Sequence, residues 1–221
     1  MVKAISFIGY HNSGKTTLAA QVIKILKEKG YKVAAVKSTK HENVLPEKEG
    51  TDTYKLAKVG AEAVALVEPH QSIIRIFKNK EELELQTFLN RHFSNFDVVI
   101  CEGFKNYSLP KIEVLRKEQK TEPLFKRVEN VVAVATDFKV EGITNLPLNS
   151  PEEVAEFIES EIIKSEEEPF TVTLSVNGKE VEMKPFIRHM LAELLGGFLK
   201  PLKGIEEPVE LIEVCVKRRE K

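Results

Sequence analysis

The sequence predicts an α/β fold in which helices flank a mostly parallel sheet, followed by a small C-terminal ββαβ unit. The first observation is the string GYHNSGKT at residues 9–16, which fits the pattern G-x-x-x-x-G-K-[ST]. The second is its setting, because an apolar run at 4–8 precedes it and an amphipathic stretch at 15–29 follows it. Strand, glycine-rich loop and helix in this order form a phosphate-binding loop, or P-loop. The third is the further alternation of strand and helix patterns, which is typical of a parallel sheet.

The other elements of the first part follow from apolar periodicity. Short apolar runs, typical of strands, lie at residues 31–37, 63–67, 97–101, 111–115 and 131–135. Helical patterns lie at 51–59, 81–93 and 151–163. Thr51 is the predicted N-cap of the first of these helices, and Pro151 is at the first position of the last. The polar stretch at 38–50 has no periodicity and is predicted to be a loop.

A charged, proline-ended stretch divides the chain. Residues 165–169 read SEEEP, so we expect a first domain at 1–163, a linker at 164–169 and an α+β extension at 170–221. The extension alternates apolar and polar residues around an Asn177-Gly178 hairpin turn and ends with a strand at 209–216. Between them an amphipathic helix at 185–199 places on one side Ile187, Leu191, Leu194, Leu195 and Phe198. A unit of about 50 residues is near the lower limit for independent folding, so it should dock on the first domain or a partner.

Composition excludes several classes of partner. The 33 basic and 34 acidic side chains nearly cancel, so neither a polyanion-binding surface nor nucleic-acid binding is indicated. Cys101 and Cys215 lie in apolar runs without metal-ligand spacing, which predicts buried reduced thiols and a cytoplasmic protein. We expect neither a signal peptide nor a membrane span, because the first strand begins at residue 4 and no apolar run approaches 18 residues.

The backbone of the loop gives the first candidate binding residues and the fold class of a P-loop NTPase. Gly9 and Gly14 allow the chain to turn tightly without a Cβ. The backbone around Asn12 and Ser13 and at the helix N-terminus is expected to direct N–H groups at phosphates, where the helix dipole also favours negative charge.

Side chains of the same loop add charge and metal ligands. Lys15 is expected to reach the outer phosphates, and the Thr16 hydroxyl is suited to the coordination shell of Mg²⁺. Thr17 could also touch a phosphate. Tyr10 and His11 are in the variable part of the loop, where they are either exposed filler or contribute to catalysis.

A P-loop also needs an acidic group to orient Mg²⁺, placed where a parallel strand ends. Glu102 ends its strand whereas Asp97 begins it, so Glu102 is preferred, with a surface carboxylate as the alternative. Asp52 follows the long loop and could bind Mg²⁺ through water or simply stabilise the first turn of its helix. Lys37 and His41 flank this loop, and His41 either contacts a phosphate or metal or is solvated.

Asp137 comes directly after the strand at 131–135. Its carboxylate could accept hydrogen bonds from guanine N1–H and the exocyclic amine, a pairing that adenine does not offer. The alternative is an aspartate that begins a turn. Only the first interpretation predicts a preference for GTP over ATP.

Together these segments resemble the molybdopterin-guanine dinucleotide biosynthesis protein B (MobB-type) family of GTP-binding proteins. The resemblance rests on the P-loop with its second threonine, KSTKH at 37–41, GTDTY at 50–54 leading to Gly60-Ala61, VICEGFK at 99–105, PKIEV at 110–114 and AVATD at 133–137. It covers about residues 3–160, and residues 170–221 resemble an extension of some archaeal or thermophilic members. After His41 the chain departs from the family, which often has a second His or Asp there.

The resemblance implies a homodimer that binds GTP and Mg²⁺, has weak GTPase activity and assists the attachment of GMP to molybdopterin or its molybdenum form. A partner, the MobA-type guanylyltransferase, would transfer the nucleotidyl group. By position, catalysis would depend on Lys15 and Glu102, the ion on Thr16, Glu102 and Asp52, and guanine recognition on Asp137. Lys105 and Lys111 could face an anionic pterin phosphate or the partner, or be solvated. The apolar stretch at 73–77 is where the dimer surface is expected.

Two other functions stay open, a small-molecule kinase on the same fold and a non-catalytic cofactor chaperone whose conformation the nucleotide sets. A kinase needs several arginines near the moving phosphoryl group, usually in a lid. The arginines at 75, 91, 116 and 127 are scattered along the sequence, which argues against a kinase. Turnover that rises with a guanylyltransferase would favour the adapter, and tight binding without turnover the chaperone.

Overall fold

The computed structural model describes residues 2–39, 49–77, 85–165, 172–176, 179–205, 209, 211–214 and 216. The chain divides into two compact units, one comprising Met1–Ser38 with Glu84–Lys221 and the other Thr39–Leu83. The predicted division between residues 163 and 170 remains a prediction, because most of that linker lies outside the described residues.

The first unit is built on a six-stranded sheet whose strand pairs are all parallel. In chain order its strands are β1 (Ala4–Ile8), β2 (Val33–Lys37), β5 (Val98–Glu102), β6 (Lys111–Leu115), β7 (Val131–Thr136) and β8 (Thr144–Pro147). Their spatial order is β2-β5-β1-β6-β7-β8. The parallel sheet and five of these strands are confirmed. The prediction omitted β8, because a four-residue strand that ends in proline has no apolar run.

Helices cover both faces of this sheet. α1 (Lys15–Glu28) buries Leu18, Val22 and Leu26 in a cluster that also contains α4 (Pro151–Ile158). α3 (Leu85–Phe93) buries Leu85 and Leu89 in a second cluster. Successive β5 side chains alternate between the two clusters, so the clusters lie on opposite faces. Each fully buried Leu or Val contributes about 1.5–3 kcal/mol to folding.

The predicted burial of the first cysteine is confirmed. Cys101 lies in the second cluster, and burial raises the pKa of its thiol to about 12. A thiol in this environment packs as an apolar side chain and is a poor nucleophile. Cys215 lies outside the described residues. Across the described part of the chain, no helix is long and apolar enough to cross a membrane.

In the second unit, the described residues form one helix and one hairpin. α2 (Asp52–Lys58) begins after Thr51, whose hydroxyl accepts from the backbone N–H of Tyr54 at 3.3 Å, as the predicted N-cap requires. β3 (Ala63–Val67) and β4 (Ser72–Ile76) pair antiparallel as a separate two-stranded sheet. Ile73 and Ile74 are 57% and 61% exposed, so the hairpin presents apolar side chains at its surface.

The C-terminal region contains a short hairpin and a helix. β9 (Ser175–Val176) pairs antiparallel with β10 (Lys179–Glu180), and α5 (Pro185–Leu199) follows. Leu194 and Phe198, expected on the same side of α5 as the half-buried Ile187, are 63% and 66% exposed. The described residues 209, 211–214 and 216 are not in a strand, so the complete ββαβ unit remains a prediction.

An ion pair and a hydrogen bond join the end of α4 to the end of α1 and the residues after it. Glu159 begins a π-helical turn, Glu159–Ile163, that continues α4. Its carboxylate accepts from Lys164 Nζ at 2.6 Å and from the Tyr31 hydroxyl at 2.9 Å, and it also pairs with Lys29. The hydrogen bonds from Lys164, Lys29 and Tyr31 lower the pKa of Glu159 to about 2.

We expect this pKa shift to make folding stability depend on pH in the acidic range. Because the folded pKa lies below the unfolded value of 4.5, the contribution of Glu159 is complete above that value and is lost as the pH falls towards about 2. Glu159→Gln should therefore lower the free energy of unfolding near neutral pH and flatten its decline between these two values. Urea unfolding of both proteins across this range measures the difference, and an unchanged profile in the variant would contradict the assignment.

The parallel topology brings the ends of four strands to one edge of the sheet. Gly9 follows β1, Gly103 follows β5, Arg116 follows β6 and Asp137 follows β7. Ligands of open parallel sheets bind at this edge. It therefore holds the candidate site.

Candidate nucleotide-binding site

The phosphate loop leaves β1 at Gly9 and enters α1 after Gly14. A Cβ at Gly9 would lie 2.6 Å from the carbonyl oxygen of Val114 in β6 and 2.8 Å from Ser13 Oγ, so a larger residue does not fit. Gly14, the N-cap of α1, has φ +93°, and Asn12 has φ +59°, both in the left-handed region. The loop thus follows the tight path that its two glycines permit.

Lys15 lies over its own loop. Its Nζ donates to the carbonyl oxygen of Tyr10 at 2.5 Å. Burial lowers the pKa of Lys15, Glu102 opposes this change, and the charges of Lys105 and Lys37 add to it. A phosphate oxygen is a stronger acceptor for an ammonium group than a neutral carbonyl is. Lys15 is therefore a cation available to an anionic ligand at the mouth of the loop.

Glu102 and Thr16, two of the predicted Mg²⁺ ligands, lie together. Thr16 Oγ1 donates to Glu102 Oε2 at 2.7 Å, and Lys37 Nζ lies 2.9 Å from Glu102 Oε1. Burial acts to raise the pKa of Glu102, but hydrogen bonds from Thr16 and Lys37 outweigh it and lower the pKa. The carboxylate is therefore charged at neutral pH. A hydroxyl and a carboxylate are the oxygen donors that Mg²⁺ prefers, so these residues fit the ion.

The turn after β5 brings a second lysine to the loop. Gly103 and Phe104 have φ values of +96° and +52°, an unusual conformation for a phenylalanine. The Gly103 backbone is fixed by hydrogen bonds to Phe7 and Ser6, at 3.0 and 2.7 Å. Lys105 Nζ then lies 5.6 Å from the centre of the Tyr10 ring. The Glu-Gly-Phe-Lys segment thus shapes the rim of the site.

The Pro-Lys-Ile-Glu segment has a structural role, which corrects the expectation for Lys111. Lys111 is fully buried, and its Nζ donates to the carbonyl oxygens of Tyr107, Leu109 and Glu129 at 2.6, 2.7 and 3.0 Å. Burial lowers its pKa, and Glu129 opposes this change. Because its three donors are used within the protein, Lys111 is neither a solvated residue nor a contact for a pterin phosphate or a partner.

Asp137 lies at the carboxyl edge but also makes a local hydrogen bond. Its Oδ1 accepts from the backbone N–H of Lys117 at 2.8 Å, and the residue is exposed. This contact agrees with the turn-forming alternative. A carboxylate has further lone pairs, so the contact is compatible with guanine recognition, which stays a prediction.

For three further candidates, no described contact tests the predicted role. Thr17 is exposed in the first turn of α1. Asp52 begins α2 in the second unit and pairs with Lys55 at 3.1 Å. His41 lies outside the described residues. The roles of these three residues stay predictions.

Sequence reasoning missed the segment 116–127, which contacts the phosphate loop repeatedly. Arg116 Nε donates to the Ser13 carbonyl oxygen at 3.0 Å, and Gln119 Nε2 donates to that of His11 at 2.9 Å. The Tyr10 hydroxyl donates to the Glu122 carbonyl oxygen at 2.9 Å, so Tyr10 is not exposed filler. Arg116 directly follows a strand, so the strand-end rule that selected Glu102 could have found it.

Comparisons with known proteins agree with this arrangement. The family model for molybdopterin guanine dinucleotide synthesis protein B (MobB) matches residues 4–137, which include the loop, Glu102 and Asp137. A relative from Haemophilus influenzae, the molybdopterin-guanine dinucleotide biosynthesis adapter protein, is 32% identical over 162 residues, covering 72% of this chain and 89% of the relative.

Two more similarities extend the comparison to the C-terminal region and to a solved structure. A putative adapter protein of the same description from Methanocaldococcus jannaschii is 28% identical and covers 98% of this chain and 99% of its own, so the match includes most of residues 170–221. The crystal structure of a molybdopterin-guanine biosynthesis protein B has a TM-score of 0.57 and 31% identity, covering 71% of this chain and 97% of that one. The chain therefore belongs to the molybdopterin guanine dinucleotide synthesis protein B family, and its fold is the P-loop fold of that family.

Proposed function

We propose that the protein is a GTP-binding adapter with weak GTPase activity that assists the attachment of GMP to molybdopterin or its molybdenum form. The observation that carries the proposal is the 2.7 Å contact between Thr16 Oγ1 and Glu102 Oε2 at the mouth of the phosphate loop. It supports a site for Mg²⁺ and a nucleoside triphosphate in a chain whose family is named for molybdopterin guanine dinucleotide synthesis.

The phosphates of GTP would lie at the N-terminus of α1. Backbone N–H groups and the helix dipole favour an anion there, and Lys15 would exchange the Tyr10 carbonyl for a phosphate oxygen. Thr16 and Glu102 would hold Mg²⁺, which neutralises phosphate charge when bound. Asp137 would accept hydrogen bonds from guanine.

The lowered pKa of Glu102 supports slow intrinsic hydrolysis as part of this proposal. A carboxylate whose pKa is lowered by Thr16 and Lys37 is a weak general base. Glu102 would therefore act on the ion, and fast hydrolysis would require a group that a partner supplies. This is the behaviour expected of an adapter whose nucleotide state matters more than its turnover.

A small-molecule kinase is the second candidate, because Arg116 and Arg127 both reach the loop although they are distant from Lys15 in sequence. Arg116 is bound to the Ser13 carbonyl oxygen, and Arg127 donates to the Tyr10 hydroxyl. Both arginines are thus engaged with the loop itself, which weighs against the kinase. A kinase would use such cations on the transferred phosphoryl group instead.

We also propose a homodimer and a guanylyltransferase partner. The exposed apolar residues of the β3–β4 hairpin, among them Ile73 and Ile74, support a protein-binding surface on the second unit. This hairpin contains most of the stretch at 73–77 that the sequence indicates for dimerisation.

The proposal is tested by GTP turnover with and without a molybdopterin guanylyltransferase. Phosphate release should be slow for the protein alone and rise when the guanylyltransferase and molybdopterin are added. Glu102→Gln should reduce release by about tenfold or more in both conditions, because the Mg²⁺ site loses its charged ligand. Glu141→Gln, an exposed carboxylate outside the site, is the matched control and should leave release unchanged.

The outcomes separate the candidate functions. Rapid phosphorylation of a small acceptor would indicate the kinase. Tight GTP binding without phosphate release in either condition would indicate the chaperone. Failure of the wild-type protein to bind GTP would contradict the proposal.

A further inference from the structure

The segment 116–127, here called the clasp, holds two backbone carbonyl groups of the phosphate loop. Arg116 Nε donates to the Ser13 carbonyl oxygen at 3.0 Å, and Gln119 Nε2 donates to the His11 carbonyl oxygen at 2.9 Å. A third contact joins the Tyr10 hydroxyl to the backbone of the clasp. The clasp thus bonds to three residues of the loop, Tyr10, His11 and Ser13.

Carboxylates fix the clasp at both ends. At its start, Asp137 Oδ1 accepts from the Lys117 N–H at 2.8 Å. Near its end, the fully buried Glu113 accepts from the N–H groups of Leu124 and Phe125 at 2.7 and 2.9 Å. Hydrogen bonds from backbone N–H groups to a carboxylate are stronger than those to neutral acceptors. The clasp is therefore anchored to strand β6 and to the residue that follows β7, independently of its contacts with the loop.

Arg116 lies closest to the point where the loop becomes a helix. Its Nη2 is 3.1 Å from the position that a Cβ on Gly14 would occupy, so the guanidinium fills the space that this glycine leaves. Gly14 is the N-cap of α1, with φ +93°. A planar, charged side chain thus packs against the peptide that begins the helix.

Holding a carbonyl also orients the next N–H. In a trans peptide the C=O of one residue and the N–H of the following residue point in opposite directions. When Arg116 holds the Ser13 carbonyl, the Gly14 N–H must point away from the clasp. When Gln119 holds the His11 carbonyl, the same applies to the Asn12 N–H.

We propose that Arg116 and Gln119 are positioning residues of the phosphate site, which orient the N–H groups of Gly14 and Asn12 for the phosphates by holding the preceding carbonyls. This inference rests on the proposed function, because it assumes that the loop binds nucleotide. Pre-oriented donors bind an anion without the cost of ordering the loop first. The clasp therefore raises affinity for the phosphates without a contact to the base.

The test compares Mg²⁺–GTP with inorganic tripolyphosphate, which has no base, by isothermal titration. Arg116→Ala should weaken both ligands by about tenfold, and Gln119→Ala by about threefold, in keeping with the loss of a charged and of a neutral hydrogen bond. Arg91→Ala is the matched control, because it removes the same side chain from an exposed position on α3, outside the clasp and the loop. It should bind both ligands as the wild type does.

A purely structural role is separated by two further measurements. The melting temperature of Arg116→Ala without ligand should stay close to that of the wild type, and millimolar guanidinium ion should restore part of the lost affinity. Wild-type affinity in Arg116→Ala, or a loss that accompanies a lowered melting temperature and is not rescued, would overturn the inference. If the alanine variant does not fold, Arg116→Lys decides, since unchanged affinity in that variant would overturn it and weaker binding at an unchanged melting temperature would support it. A wild-type protein that binds neither ligand would refute the proposed function itself.

Discussion

Replacing Lys15 with alanine is expected to weaken the binding of Mg²⁺–GTP by about 100-fold or more, because the loop loses the cation that neutralises the outer phosphates. The fold should be retained, since the described Nζ hydrogen bonds of Lys15 go to Tyr10 and Ser13 of its own loop. Isothermal titration measures the affinity, and thermal unfolding without ligand checks the fold.

Lys24→Ala is the control for this substitution. Lys24 lies on the same helix, its side chain is 77% exposed, and it pairs with Glu28 at 3.8 Å. The control removes the same charge from α1 without touching the loop, so its affinity for GTP should equal that of the wild type. Wild-type affinity in Lys15→Ala itself would refute the site.

Replacing Asp137 with asparagine is expected to weaken GTP binding by about 30- to 100-fold, because the amide cannot accept from both guanine donors. Xanthosine triphosphate should bind the variant better than GTP does. Xanthine has a carbonyl where guanine has its amine, and it therefore matches one donor and one acceptor of asparagine. Competition titrations with GTP, ATP and xanthosine triphosphate measure this change in preference.

The same variant separates the two roles open to Asp137. Asparagine Oδ1 can still accept from the Lys117 N–H, so the clasp should keep its anchor. Binding of inorganic tripolyphosphate should then be unchanged while GTP binding falls. A loss of both ligands, or of neither, would show that Asp137 only forms the turn.

The features that the sequence could predict depend on backbone conformation, apolar spacing and the position of strand ends. Gly9 and Gly14 are required where the backbone turns or approaches another strand, and α1 has apolar spacing that indicates its buried face. Glu102 was predicted by a rule about strand ends, and the sheet order made the rule work. Because β5 pairs with β1, the residue that ends β5 lies beside Thr16 at the start of α1.

What the sequence could not predict depends on contacts between distant residues. Lys111 resembles a surface lysine until the carbonyl oxygens of Tyr107, Leu109 and Glu129 converge on its ammonium group. In the sequence Arg116 is one of several scattered arginines. Its position beside the phosphate loop follows only from the pairing of β6 with β1. The exposed side chains of α5, such as Phe198, depend on packing that periodicity alone does not determine.

Selective binding of GTP by the wild-type protein in the presence of Mg²⁺ is the central property to measure. Isothermal titration with GTP and with ATP measures this, and repeating the GTP titration without Mg²⁺ tests the contribution of Thr16 and Glu102. We expect one GTP per chain, at least about tenfold weaker binding of ATP, and weaker GTP binding when Mg²⁺ is removed. Equal affinity for GTP and ATP would contradict the guanine site at Asp137, and the absence of GTP binding would contradict the account as a whole.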